Sequence, residues 1–218
     1  MSAISPAPAL LARGPWTAEQ VRTLWRPDRY EAPEDHERAA DEAIEALRRR
    51  GSPSHDGVAA RLADWRVDSD GLEIVLQPLR WALRLVETDA CASLSALCIA
   101  RDADGRWLAG RRAGWLATWP GRWTLGAGGA VDPGESPFDT LTRELQEEWS
   151  VTPERVQAEA LIRLPRNLVM FVGQAWLEPG ASVTPDHEHD EYTWWPADVD
   201  DWPDDADESL RRLARLLT

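Results

Sequence analysis

The sequence predicts a mixed α/β fold of the α+β kind, and three observations carry that prediction. Apolar residues recur at helical spacing over 33–50 and 136–149, and in short strand-like runs over 72–76, 92–100, 157–164 and 168–177. Turn signals at 68–71 and 102–105 punctuate those runs. A chain of 218 residues with 43% hydrophobic and 28% charged side chains is long and apolar enough to bury a core. The chain divides near residue 88. Residues 1–88 read as a helical and β extension or small α+β domain, and residues 89–218 as a second unit.

Residues 1–15, rich in Pro, Ala and Ser, read as a loose arm. Thr17 with Gln20 makes a capping-box pattern ahead of Val21, Leu24 and Trp25, which predicts a helix start. A longer helix is predicted over 33–50. Its acids Glu34, Asp35 and Glu37 come early, Arg48 to Arg50 come late and Gly51 stops it. That charge order suits the helix dipole, so the arginine run reads as a helix end. A third short helix is expected over 56–63, then strands over 65–67, 72–76 and 81–86. In the second unit, 92–100 suits a buried strand that returns over 106–112 after a hairpin turn. A Trp- and Gly-rich stretch, a helix over 136–149 and strands over 157–164 and 168–177 follow. Residues 182–208 hold eleven Asp and Glu and no Arg, and an amphipathic helix over 209–217 closes the chain.

Charge excludes several functions. All 24 basic residues are arginine, 38 are acidic, and the net charge is −14. Such a chain is a poor non-specific nucleic-acid binder and a poor ligand for anionic membranes. Without lysine it has no Schiff base and no P-loop lysine. An anionic substrate must therefore meet a local basic patch or a metal ion. Cys91 and Cys98 are too few for a disulfide framework and read as buried small hydrophobes. Residues 1–16 lack the pattern of a signal peptide. No apolar stretch approaches the ~20 residues that span a bilayer, so a cytoplasmic protein is expected.

The chemistry concentrates in residues 129–151. Ser136 suits an N-cap, Pro137 the first helical position, and Asp139 a capping-box-like partner. Phe138, Leu141, Leu145 and Trp149 share one helical face, with Glu144, Glu147 and Glu148 beside it. Glu144 and Glu148 are one turn apart, their Cβ atoms about 5–6 Å from each other, and such like charges destabilise an isolated helix. The trio is either a solvated face or a site for a hard cation; Mg²⁺ commonly bridges one or two carboxylates to substrate phosphates. Arg143 and Glu135 offer an ion pair between loop and helix.

The spacing G-x5-E-x7-R-E-U-x-E-E-x-G-U, with U apolar, is matched by Gly129, Glu135, Arg143, Glu144, Leu145, Glu147, Glu148 and Val151. Ser150 stands where the last glycine belongs. The chain thus resembles the Nudix hydrolase superfamily over roughly 90–200. The Gly-Ala-Gly-Gly turn after Pro120 to Leu125 and the strand from Glu191 to Trp194 are similar too. The resemblance implies an αβα sandwich around a mixed sheet, and hydrolysis of a nucleoside diphosphate linked to another moiety, such as ADP-ribose or a nucleotide sugar. It implies Mg²⁺ or Mn²⁺ on Glu144 and Glu148, with Glu147 and the Gly129 carbonyl supplementary, and Glu135 with Arg143 bracing the loop. Serine at 150 would adopt the glycine's left-handed geometry at a cost of roughly 1 kcal/mol.

The general base lies outside the box. Glu188 and Glu191, in the acidic cluster 186–191, are the candidates for a base or an added ligand. His187 and His189 share a face if they lie on a strand, and read as surface residues or a transition-metal pair. Arg101, Arg106, Arg111, Arg112 and Arg122 form a basic region; on a strand only one of Arg111 and Arg112 can reach a phosphate. Trp115 and Trp119 are candidates to stack on a base, although most of thirteen tryptophans must be core. Residues 1–88 could complete a substrate pocket or support a homodimer. Two other readings remain. An isopentenyl-diphosphate-isomerase-like enzyme would work through a cysteine and histidines, and neither Cys91 nor Cys98 has a Ser-His-Pro type setting. A non-catalytic nucleotide-binding module would have lost box carboxylates that this chain keeps.

Overall fold

The computed structural model describes residues 9–51, 56–116 and 119–218, in which three α-helices accompany two β-sheets. The smaller sheet joins β2 (Val21–Trp25), β3 (Val58–Asp68) and β4 (Gly71–Arg80) in the order β2-β4-β3. Leu72, Ile74 and Leu76 alternate into its core with period two. The helix α1 (Glu34–Arg49) packs Ala40, Ile44 and Leu47 against Leu79, Ala82 and Leu83. Its dipole-matched acids and arginines sit where the sequence puts them.

Four local expectations fail here, each because tertiary pairing outweighs local signal. The arm is a strand from residue 9 onward, β1 (Ala9–Trp16); its first eight residues lie outside the described ones. It buries Ala12 and Trp16 by pairing antiparallel with a strand some 145 residues later, a partner no local reading can see. Thr17 and Gln20 do form their capping box, yet it closes only a single 3-10 turn, Ala18–Gln20, before β2 begins. Residues 56–63 give no helix, because Ala59, Ala60 and Leu62 are buried in β3 alongside β4. Residues 81–86 give no strand; Trp81–Leu85 is a 3-10 turn that buries Ala82 and Leu83 under α1.

The larger sheet contains β5 (Leu94–Arg101), β6 (Trp107–Arg112), β7 (Trp123–Leu125), β8 (Ala127–Ala130), β9 (Arg155–Arg163), β10 (Val169–Trp176) and β11 (His189–Trp195). Its order is β1-β9-β10-β5-β6-β11, with β7 on β6 and β8 on β5. Only β10 and β5 run parallel among these pairs; the rest are antiparallel, so the sheet is mixed. The helix α2 (Pro137–Trp149) covers one face, where Ala96 and Cys98 meet Leu141, Leu145 and Trp149. The helix α3 (Glu208–Leu217) covers the other, where Ile99 and Val172 share a cluster with Ala214 and Leu217. This is the αβα sandwich expected. Both cysteines are buried.

Contacts cross the boundary at residue 88. The N–H of Ala60 donates to the Val131 carbonyl at 2.9 Å, and that of Leu62 to the Ala92 carbonyl at 2.9 Å. The small sheet therefore lies directly against the loop that leads into α2. No helix among the described residues is long and apolar enough to cross a membrane.

Candidate active site

Local sequence builds α2 and its approach. The Ser136 hydroxyl accepts from the N–H groups of Phe138 and Asp139 at 3.1 and 3.3 Å, and Pro137 begins the helix. At the far end Ser150 takes the left-handed geometry, φ 53° and ψ 36°, that the missing glycine would adopt freely. Before the helix, Gly126 turns the chain from the edge of β6 to the edge of β5. It does so at φ +60°, and a Cβ there would collide with the Cys98 carbonyl.

The edge of β8 that faces away from β5 meets the acids of α2. The N–H of Gly128 donates to Glu148 Oε1 at 2.9 Å, and the Glu144 carboxylate occupies the space a side chain on Gly129 would need. Glu144 and Glu148 are only 8% and 5% exposed, whereas Glu147 is open to solvent. Arg143 gathers this cluster. It donates to both oxygens of Glu135 at 2.9 and 3.0 Å, to Glu144 at 2.7 Å, to Glu147 at 3.0 Å and to the Ala130 carbonyl at 3.3 Å. The Thr140 hydroxyl adds a bond to Glu135 at 2.7 Å. From the extension, the indole N–H of Trp25 donates to the Glu135 carbonyl at 3.0 Å.

Charge compensation is uneven. Burial would raise Glu135, but Arg143 and Thr140 outweigh it and hold it below the usual carboxylate range. Burial pushes Glu144 up to about 7 despite Arg143. Glu148 is pushed well above the usual carboxylate range, by burial first and by the charges of Glu144 and Glu188, against one N–H bond from Gly128 and the charge of Arg112. Two buried carboxylates thus share too little positive charge.

The distal cluster divides. Glu188 lies close enough to raise both Glu144 and Glu148, is itself raised by burial, and pairs with Arg112 at 3.6 Å. Glu191 goes elsewhere, pairing with the exposed Arg111 at 3.6 Å. Arg111 then belongs to a separate cavity of about 310 Å³ lined also by Gly121, Arg122, Trp123, Asp205 and Asp207. Of the two arginines it is Arg112 that reaches the acids. Trp115 is exposed and stacks on His187 at 5.3 Å; Trp119 is exposed at φ +51°.

The two histidines do not share a face. His187 precedes β11 and is exposed, while the side chain of His189 is fully enclosed. His189 therefore corrects the surface reading. Its ring packs 4.5 Å from Trp149, with Nε2 3.7 Å from Glu148 and Nδ1 3.4 Å from Asp186. Burial lowers its pKa, against the opposing pull of Asp186. Its only sequence signal was a position in the acidic cluster, which cannot report that β11 turns it inward.

Among the described residues no group of three or more His, Cys, Asp or Glu side chains is placed to hold a metal ion. The donor set nevertheless fits a hard cation. Carboxylates line a backbone edge cleared by a glycine, and Mg²⁺ takes only one or two of them, completing its shell with water and phosphate.

A family model described as the NUDIX domain matches residues 93–217. Solved structures with a similar fold include the MutT protein from Methanosarcina mazei Go1, at 25% identity and TM-score 0.45, covering 56% of this chain and 90% of that one. The NUDIX domain of Shewanella oneidensis NrtR complexed with ADP ribose matches at 21% identity and TM-score 0.47, covering 57% and 85%. A C. elegans Ap4A hydrolase matches at 22% identity and TM-score 0.45, covering 56% and 92%. No curated protein matches the chain.

Proposed function

The chain belongs to the Nudix family and is a pyrophosphohydrolase of it, and from that premise we propose that it cleaves the diphosphate of a nucleoside diphosphate linked to another moiety, with Mg²⁺ or Mn²⁺ as cofactor. ADP-ribose or a nucleotide sugar is the substrate class favoured. The observation that carries this reading is the pair Glu144 and Glu148, buried beside Gly129 with too little positive charge to balance them. A site with a charge deficit of this kind is completed by a cation.

Glu144, Glu148 and the carbonyl of Gly129 would hold the metal, with Glu147 in support. When bound, the ion supplies charge neutralisation for the phosphates and a more acidic water. The chain's own residues supply the rest. Arg143 orients Glu144 and Glu147, and Gly128 fixes one oxygen of Glu148, so the carboxylates need little rearrangement. Glu188, its pKa raised, is the better placed of the two candidates to take a proton from the attacking water. Arg112 holds Glu188 and adds positive charge near the phosphates. Trp149 and His189 close the wall behind Glu148 against bulk water.

Isomerase chemistry lacks a partner here. Both thiols are buried, and burial pushes Cys91 up to about 11 and Cys98 higher still. The test is turnover of ADP-ribose, nucleotide sugars, dinucleoside polyphosphates and nucleoside triphosphates with Mg²⁺, beside Glu148→Gln. Cleavage of one class, lost in the variant with its fold intact, supports the reading. Binding without turnover by the wild type would replace it with a nucleotide-binding module.

A further inference from the structure

One arginine from the extension approaches the β5–β8 pair from the other face. Arg84 sits in the 3-10 turn Trp81–Leu85 and donates through Nη2 to the Ser95 hydroxyl at 2.8 Å. Its guanidinium lies 5.5 Å from the centre of the Trp81 ring. Among the described residues no carboxylate lies within ion-pairing distance of it, whereas Arg143 reaches three and Arg80 reaches three. Burial pushes Arg84 down to about 10; the charge of Glu144 opposes that fall and Arg166 adds to it.

Strand register gives the direction of approach. Ala96 is opposite Gly129, so both face Glu144 and α2. Ser95, one residue earlier and opposite Ala130, faces away, and Arg84 meets β5 there. β8 has β5 as its one sheet partner among the described residues, and the N–H of Gly128 on its other edge already points at Glu148. The β5–β8 pair therefore has buried acids on one face and, at Ser95, a half-buried guanidinium with no carboxylate partner among the described residues on the other. A guanidinium without an anion partner keeps N–H donors to offer, and its planar fork matches phosphate oxygens.

We propose that Arg84 is a substrate-binding residue that grips a phosphate oxygen of the diphosphate at the edge of β8, so that residues 1–88 complete the active site. This rests on the pyrophosphohydrolase reading above and deepens it. The metal-binding acids hold the diphosphate from the α2 side, and the extension holds it from the opposite side.

The competing role is a structural tie to Ser95, which loss of either partner would reveal equally. The experiment compares wild type, Arg84→Met, Arg84→Lys and Ser95→Ala for melting temperature and for binding of inorganic pyrophosphate and of ADP with Mg²⁺ by calorimetry. Arg84→Met is expected to weaken pyrophosphate binding at least tenfold, Arg84→Lys by less, and Ser95→Ala by under twofold. Equal drops in melting temperature for Arg84→Met and Ser95→Ala with unchanged affinity would overturn the proposal, as would a wild type that binds neither probe. If Arg84→Met does not fold, the same comparison is read from Arg84→Lys, and unchanged affinity there overturns it. Should the wild type hydrolyse nothing while Arg84→Met still loses affinity, the reaction reading fails and the binding role stands. If hydrolysis is found and Arg84→Met leaves KM unchanged, the reverse holds.

Discussion

At Arg80 three carboxylates, those of Glu37, Asp41 and Asp56, meet one guanidinium at 2.8, 2.6 and 2.5 Å. On α2 and the loop before it three carboxylates also surround one guanidinium, that of Arg143, but Glu135 takes two of its N–H groups and Glu148 gets none. Burial would raise Asp56, and Arg80 overrides it to hold Asp56 low. Burial raises Glu144 and Glu148, and nothing nearby overrides it. The same residue types thus make a closed structural knot in one place and an open electrostatic site in the other. Acidity alone does not mark a functional cluster; the balance between desolvation and positive charge does.

The sharpest way to break this comparison is Glu148→Gln. It should cut turnover by roughly a thousandfold or more, about 4 kcal/mol in the barrier, because water activation goes with the metal. The same variant should melt no lower than wild type without metal, and Mg²⁺ should no longer raise its melting temperature. Arg80→Ala should do the opposite. It leaves three acids together without their cation and should cost roughly 3 kcal/mol in urea unfolding, with kcat unchanged.

Acid titration sharpens the contrast. Asp56 is held below its unfolded value, so its contribution is present above about pH 4, where unfolded aspartate ionises, and is lost as pH falls through the lower folded value. Stability measured from pH 5 to pH 2 should therefore fall in the wild type, and Arg80→Ala should flatten that slope. The smallest effect belongs to Ser150→Gly, which relieves the left-handed strain at the end of α2 downstream of the acids. It should add about 1 kcal/mol of stability. Turnover should change less than about twofold; a manyfold rise would tie the strained cap to catalysis.

Much of the site was legible because it is local. The Ser136 cap, the apolar stripe of Leu141, Leu145 and Trp149, and the acids beside it all follow from the geometry of one thirteen-residue helix and its cap. The box spacing also identified the family, since a loop and a helix that must place several side chains on one target leave a rigid pattern. The extension was less legible. β1 exists because β9 offers an edge, and Ala59, Ala60 and Leu62 are extended because β4 lies beside them. His189 gave only its place in the acidic cluster and Arg84 gave no signal, one turned inward by β11 and the other carried to β5 by a 3-10 turn.

The sequence by itself determined the αβα class of the second unit, the helix α2 with both its ends, the glutamates it presents and the exclusion of lysine chemistry. Only the tertiary structure decided which of those glutamates are buried, that Glu188 and Arg112 join them while Glu191 and Arg111 do not, and that the extension leans on the box through Trp25. The division has one physical cause. Helix periodicity and capping act over a few residues and are written in order along the chain. Strand partners, desolvation and charge balance depend on groups that only the fold brings together.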